Sequence, residues 1–280
     1  MRWEKSGRSS NLEDRRGSPA RTAGGLGVGG LVLVVLFALI TKQNPLALIG
    51  AVQQNAPATA AEAAPLDDPA EEEEVRFVSF VLDDAQAMWA RALPAAGTAW
   101  RDARLVLFRD AVSSACGMAQ SATGPFYCPG DERVYIDLGF YDELSQRFGA
   151  PGDFAEAYVL AHEVGHHVQH VLGTNAAVAE ASSRRPDQAN ALSVRLELQA
   201  DCYAGIWAAK AARDGRLEAG DLDEGLTAAA AVGDDRLQRA SGGQVQPESF
   251  THGSSAQRMT WFRRGFDGGD LKSCDTFAAR

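Results

Sequence analysis

The sequence predicts an α+β fold, mostly helical with a small β-sheet, preceded by an N-terminal transmembrane helix. Three observations carry that expectation. A run without charge, residues 24–40, follows a basic head. Two short runs rich in β-branched and aromatic residues, 105–108 and 133–138, flank a stretch containing Gly117, Gly124, Pro125, Pro129 and Gly130. After residue 140 the apolar residues recur at helical spacing. A few strands followed by many helices is the pattern of an α+β domain.

The chain has 280 residues and a formal net charge of −10. Residues 1–23 hold six basic side chains (Arg2, Lys5, Arg8, Arg15, Arg16, Arg21) against three acidic ones (Glu4, Glu13, Asp14), a net of +3, so the remainder carries −13. So acidic a body repels nucleic acid, and no nucleic-acid partner is expected. As a helix, residues 24–40 reach about 26 Å, and a turn more matches a bilayer core of about 30 Å. Basic residues before the span place the N-terminus in the cytoplasm. The reading divides the chain into a basic cytoplasmic N-terminus (1–23), a transmembrane anchor (24–42), a flexible Ala-, Pro- and acid-rich tether (43–70) and a folded domain (71–280). Gly25 and Gly29 are spaced as a helix-contact pair.

Export makes the four cysteines a disulfide set, since none forms a C-x-x-C pair. Of three pairings, Cys116–Cys128 with Cys202–Cys274 is expected, because the first closes a short local loop.

The chemistry centres on His162-Glu163-Val164-Gly165-His166. Its helix is expected to be capped by Asp153 with Glu156 completing a capping box, and to stop at Gly173. Leu160, Val164, Val168 and Val171 share the core side. Tyr158, His162, Gly165, His166 and Gln169 share the other. Two imidazoles four residues apart stand one turn above each other and can share a metal ion, with Glu163 beside them as a base. Of the neighbouring histidines, His167 points toward the core side. His170 lies about 12 Å along the axis from His162, too far for the same ion, and suits the helix C-terminus. Catalytic zinc takes three protein ligands and leaves a position open. The third is expected on a second helix, residues 187–210, where Glu197 and Asp201 lie one turn apart. Glu197 goes to the metal, and Asp201 accepts from the outer N–H of a ligating histidine. Gly205 allows close packing there, and Glu180 is the reserve ligand. His252, just before a helix capped by Ser254 with Gln257, is the expected oxyanion donor, with Tyr203 as rival. The strand around Tyr135 is the expected partner for an extended peptide.

H-E-x-x-H followed by E-x-x-x-D on a later helix resembles the gluzincin arrangement. More narrowly, the chain resembles the bacterial family named putative neutral zinc metallopeptidases. The matching stretches are Met1-Arg2-Trp3 with residues 11–17, then Gly124-Pro125-Phe126-Tyr127-Cys128-Pro129, residues 162–169, 197–205 and 233–238, and Thr251-His252-Gly253-Ser254. The resemblance implies a zincin-like metallopeptidase domain with Zn2+ held by His162, His166 and Glu197, and Glu163 as the catalytic residue. Joined to the anchor, it implies a single-pass protein of the bacterial inner membrane whose periplasmic domain cleaves peptide or protein substrates. The alternative is a non-catalytic zincin-like envelope protein that uses the zinc site for structure or partner binding.

Overall fold

The computed structural model describes residues 1–4, 7–17 and 69–278. Met1–Arg15 and Asp67–Arg280 form one compact unit, and Arg16–Leu66 forms the other. The first unit contains everything that follows.

Strand β1, Leu12–Asp14, comes from the basic head. It pairs in parallel with β2, Arg104–Phe108, in the register Leu12↔Leu105 to Asp14↔Leu107. β6, Arg133–Asp137, continues the sheet in parallel beside β2, and β5, Phe126–Cys128, runs antiparallel on its outer side. The strand order is β1-β2-β6-β5. A separate hairpin joins β3, Ala111–Ser114, to β4, Gly117–Gln120. Alternation along the strands divides the apolar side chains between two cores. Leu105, Leu107, Val134 and Ile136 enter the main core, whereas Val106, Phe108 and Tyr135 meet Val112 and Cys128 in a small second one.

Helices supply the rest: α1 (Pro69–Ala95), α2 (Gly139–Gln146), α3 (Asp153–Val171), α4 (Thr174–Arg184), α5 (Ala189–Arg213), α6 (Asp221–Ala231), α7 (Asp234–Ala240) and α8 (Ser255–Gly268). α5 and α8 cross closely because glycines face backbone there. A Cβ on Gly205 would collide with the Phe262 carbonyl, and one on Gly265 with that of Cys202. Both expected disulfides are present. Cys202–Cys274 ties α5 to the C-terminal turn, and Cys116–Cys128 ties the hairpin region to β5.

Two findings correct the expected N-terminal transmembrane helix and the single-pass inner-membrane location. Among the described residues no helix is long and apolar enough to cross a membrane. Residues 1–15 also belong to the unit that carries the site. A segment that hydrogen-bonds to β2 of the domain cannot lie across a single span from it. The expected anchor at 24–42, the Gly25/Gly29 pair and the tether up to residue 68 lie outside the described residues. The basic head misled because Arg2, Arg8 and Arg15 pair with acids of the same compact unit. Arg8 pairs with Glu72 and, at 2.9 Å, with Asp14, and Arg15 pairs with Glu13 at 2.8 Å. The Met1 ammonium is 2.6 Å from Asp153, and Trp3 packs edge-on to Phe77 at 5.4 Å.

Capping at the start of α3 also differs from expectation. Gly152, not Asp153, is the N-cap, and no side chain caps it locally. Glu224 of α6 accepts from the Phe154 N–H at 3.1 Å instead. A long-range carboxylate has taken the place of a local one. α3 does end before Gly173, which has φ +79°, and α8 does carry the Ser254–Gln257 capping box.

Candidate metal centre

α3 is the spine of the site. Its spacing stacks His162 above His166, with ring centroids 4.8 Å apart and planes at 88°. Gly165 lies between them in sequence and removes the side chain that would hold α5 away. A Cβ there would lie 3.0 Å from the Ala200 carbonyl oxygen and 3.2 Å from its Cα. Close approach brings Glu197, one turn earlier on α5, against both rings. Its Oε2 is 3.2 Å from His162 Nε2 and its Oε1 is 3.5 Å from His166 Nε2. Ligand atoms of the three residues all lie within 4.8 Å of one another.

The donor set fits a zinc ion. Ligands 2.0–2.2 Å from zinc at tetrahedral angles lie about 3.3–3.6 Å apart, which the two nitrogen–carboxylate separations approximate. Two imidazoles and one carboxylate also leave the fourth position to solvent or substrate. The outer nitrogens are held. His162 Nδ1 is 2.8 Å from Asp201 Oδ1, and His166 Nδ1 is 2.9 Å from Gln169 Oε1. Gln169 donates in turn to the Leu196 carbonyl at 2.6 Å and to Gln199 at 3.2 Å. Gln199 donates to the Cys274 carbonyl at 3.1 Å, so the chain of bonds ends at a disulfide. Partners of this kind fix the tautomer that leaves Nε2 free for a metal.

The electrostatics of the site follow from the crowding of charge. Burial would lower His162, but Asp201 and Glu197 outweigh it and raise the imidazole to about 9. Burial would raise Asp201, but Arg258 and His162 hold it at about 2. Glu197 is held well below the usual carboxylate range by the two histidines, against its burial. A divalent cation takes the place of those protons on binding.

Glu163 is 7% exposed, and among the described residues its carboxylate has no hydrogen-bond or ion-pair partner. Its charge reaches His166. His252 lies on the loop before α8. Its Nδ1 is 3.2 Å from Asp234 Oδ1, while the backbone N–H groups of Thr251, His252 and Gly253 all donate to Asp234 Oδ2 at 2.7–2.9 Å. The bond to Asp234 raises the His252 imidazole above its ordinary value, and the Glu197 charge adds to it.

Other sequence expectations land elsewhere. Glu180 is exposed on α4, pairs with Arg184 and is not near the three donors. Tyr203 is buried against Trp89 at 5.5 Å, in the core. Tyr135 lies on β6, between β2 and β5, so its backbone is already paired on both sides. The edge strands are β1 and β5, and β5 is the one beside β6. A cavity of about 910 Å³ opens between Val194, Leu198, Phe250 and Trp261, and none of the three donors, Glu163 or His252 lines it.

Two residues at the site escaped the sequence reading. Asp234 sits in an ordinary acidic first turn of α7 and leaves no distinctive trace. Arg258 did leave one. It shares a helical stripe with Trp261, Phe262 and Gly265, and all four are buried. A cation inside an apolar stripe signals a buried partner.

The chain is 44% identical over 285 residues to "Uncharacterized protein YpfJ" of Escherichia coli, with 99% of each chain covered. It is 43% identical over 208 residues to "Uncharacterized protein Rv2575" of Mycobacterium tuberculosis, with 70% of this chain and 68% of that one covered. No solved structure matches it significantly. The family described as "Putative neutral zinc metallopeptidase" matches residues 1–277, from before β1 to beyond the last described helix. A match of that extent, over the residues that build a three-donor centre, means that this chain belongs to the neutral zinc metallopeptidase family, whose name implies zinc as the metal.

Proposed function

We propose that the protein is a zinc-dependent endopeptidase, with zinc held by His162, His166 and Glu197 and with Glu163 as general base. The observation that carries this reading is the meeting of two Nε2 atoms and one carboxylate, with the charge of Glu163, which has no partner among the described residues, reaching His166. A purely structural zinc site is closed by a fourth protein ligand and has no use for such a base.

When bound, the zinc ion supplies Lewis acidity to a water and to the scissile carbonyl. The remaining roles belong to the chain. Glu163 takes a proton from the attacking water and returns it to the leaving amine. His252, held by Asp234 and raised in pKa, offers a charged N–H to the oxygen that becomes negative. β5 offers the outer edge of the sheet to an extended peptide. Tyr127, on β5, bonds His167 of α3 at 2.9 Å, which holds that edge to the helix of the metal centre.

The test is zinc content and cleavage of a peptide library by the full chain, wild type against Glu163→Gln. The expected result is unchanged zinc with activity lower by on the order of 10² to 10⁴. Equal cleavage by the two proteins would overturn the mechanism.

A further inference from the structure

Arg258 is the most deeply buried cation near the centre, at 3% exposed. Its guanidinium grips Asp201 at both oxygens, Nε to Oδ2 at 2.9 Å and Nη2 to Oδ1 at 2.8 Å. Nη2 also donates to the Tyr158 hydroxyl at 3.2 Å, and Nη1 to the Val232 carbonyl at 3.2 Å. The Tyr158 hydroxyl donates to Asp201 Oδ1 as well. Asp201, with no exposed surface, is therefore held from α3 and α8 while standing on α5.

Packing alone does not call for this residue. The α5–α8 crossing is made by Gly205, Gly265 and Phe262, and an apolar side chain at 258 would fill the stripe without the cost of burying a charge. A guanidinium matches a carboxylate as a planar fork, which fixes the plane of the carboxylate and not only its charge. Here the fixed plane aims Oδ1 at His162 Nδ1, 2.8 Å away. Arg258 Nη2 lies 3.3 Å from that same nitrogen and gathers on the same oxygen.

We propose that Arg258 is a positioning residue of the metal centre. Acting through Asp201, it holds His162 in the Nδ1–H tautomer with its ring turned so that Nε2 faces the metal. This rests on His162 being a zinc ligand. No residue beyond Asp201 and His162 is needed to carry the effect.

The test measures zinc affinity by chelator competition on the full chain, for wild type, Arg258→Lys, Arg258→Met, Asp201→Asn and the double variant Asp201→Asn/Arg258→Met. Far-ultraviolet circular dichroism and a cooperative unfolding transition verify folding. Arg258→Lys and Arg258→Met are expected to weaken zinc by about 10- to 100-fold, as loss of an outer partner does. In ¹⁵N spectra recorded with zinc bound, the His162 Nδ1–H signal should shift and exchange faster with solvent than in the wild type, because Asp201 no longer holds it. The double variant removes both buried charges, so it is expected to fold even where Arg258→Met does not. It should bind zinc no more weakly than Asp201→Asn alone, because the two residues act in series. Wild-type affinity in folded Arg258→Met would overturn the proposal, as would a double variant whose loss is the product of the two single losses. A wild type that binds no zinc would instead sink the metal reading on which this one stands.

Discussion

One helix carries four of the five histidines, and its two sides use them differently. On one side, His162 and His166 turn Nε2 toward a shared carboxylate and give only Nδ1 to an outer partner. On the other, His167 has both nitrogens engaged. Tyr127 bonds Nδ1 at 2.9 Å, and Nε2 donates to the Arg101 carbonyl at 2.7 Å. Trp100 packs edge-on to its ring at 5.0 Å, and burial lowers its pKa, so it stays neutral. His170 bonds Glu132 at 3.2 Å near the helix end. A histidine becomes a ligand when its surroundings leave one nitrogen facing an acid. It becomes a fastener when a hydroxyl and a carbonyl take both.

The largest expected effect separates chemistry from both sides. Glu163→Gln should retain zinc and lose on the order of 10² to 10⁴ in turnover, read by metal analysis with peptide cleavage. Next, His166→Ala should weaken zinc by more than the roughly 100-fold that loss of an outer partner can cost. His167→Ala should leave zinc affinity of the folded protein unchanged. It should instead destabilise the fold by about 2–4 kcal/mol in chemical denaturation, through a cavity and two orphaned buried partners. If His167→Ala costs zinc, or His166→Ala costs only stability, the division of the helix fails.

A smaller effect concerns the first turn of α3. Burial, with Asp153, Asp142 and Glu224 nearby, pushes Glu156 up to about 7. The unfolded chain ionises this group near 4.5, so the folded protein binds the extra proton between the two values. Its contribution to stability is present below about 4.5 and lost as pH rises through about 7. The stability difference between wild type and Glu156→Gln should therefore change across that window, and a constant difference would refute the assignment. The smallest effect is at the exposed end. His170→Ala should cost under about 1 kcal/mol, because a partly exposed pair contributes little.

Much of the fold was legible where it is local. The strands at 105–108 and 133–138, the end of α3 at Gly173 and the cap of α8 each depend on a few consecutive residues, and the structure places them within a residue or two. The start of α3 was misread because Asp153 and Glu156 have the spacing of a local cap, whereas Glu224 supplies the acceptor from 70 residues away. Tyr135 was misread as an edge because strand order is not written along the chain. The basic head was misread because its arginines have the pattern of a membrane flank, while Arg8 pairs with acids on α1 and β1 and Arg2 with Glu218 ahead of α6.

By itself, the sequence determined the one-turn spacing of His162 and His166, the matching spacing of Glu197 and Asp201, and a glycine, Gly205, that lets α5 pack closely against a neighbour. Helical periodicity makes such relations readable, because residues four apart share a face whatever the rest of the chain does. Only the tertiary structure decided which carboxylate meets the imidazoles, that Arg258 grips Asp201, and that the first fifteen residues join the domain through β1. Those contacts join residues from 35 to more than 90 positions apart. Burial and charge pairing stabilise them, and neither leaves a periodic trace in the chain.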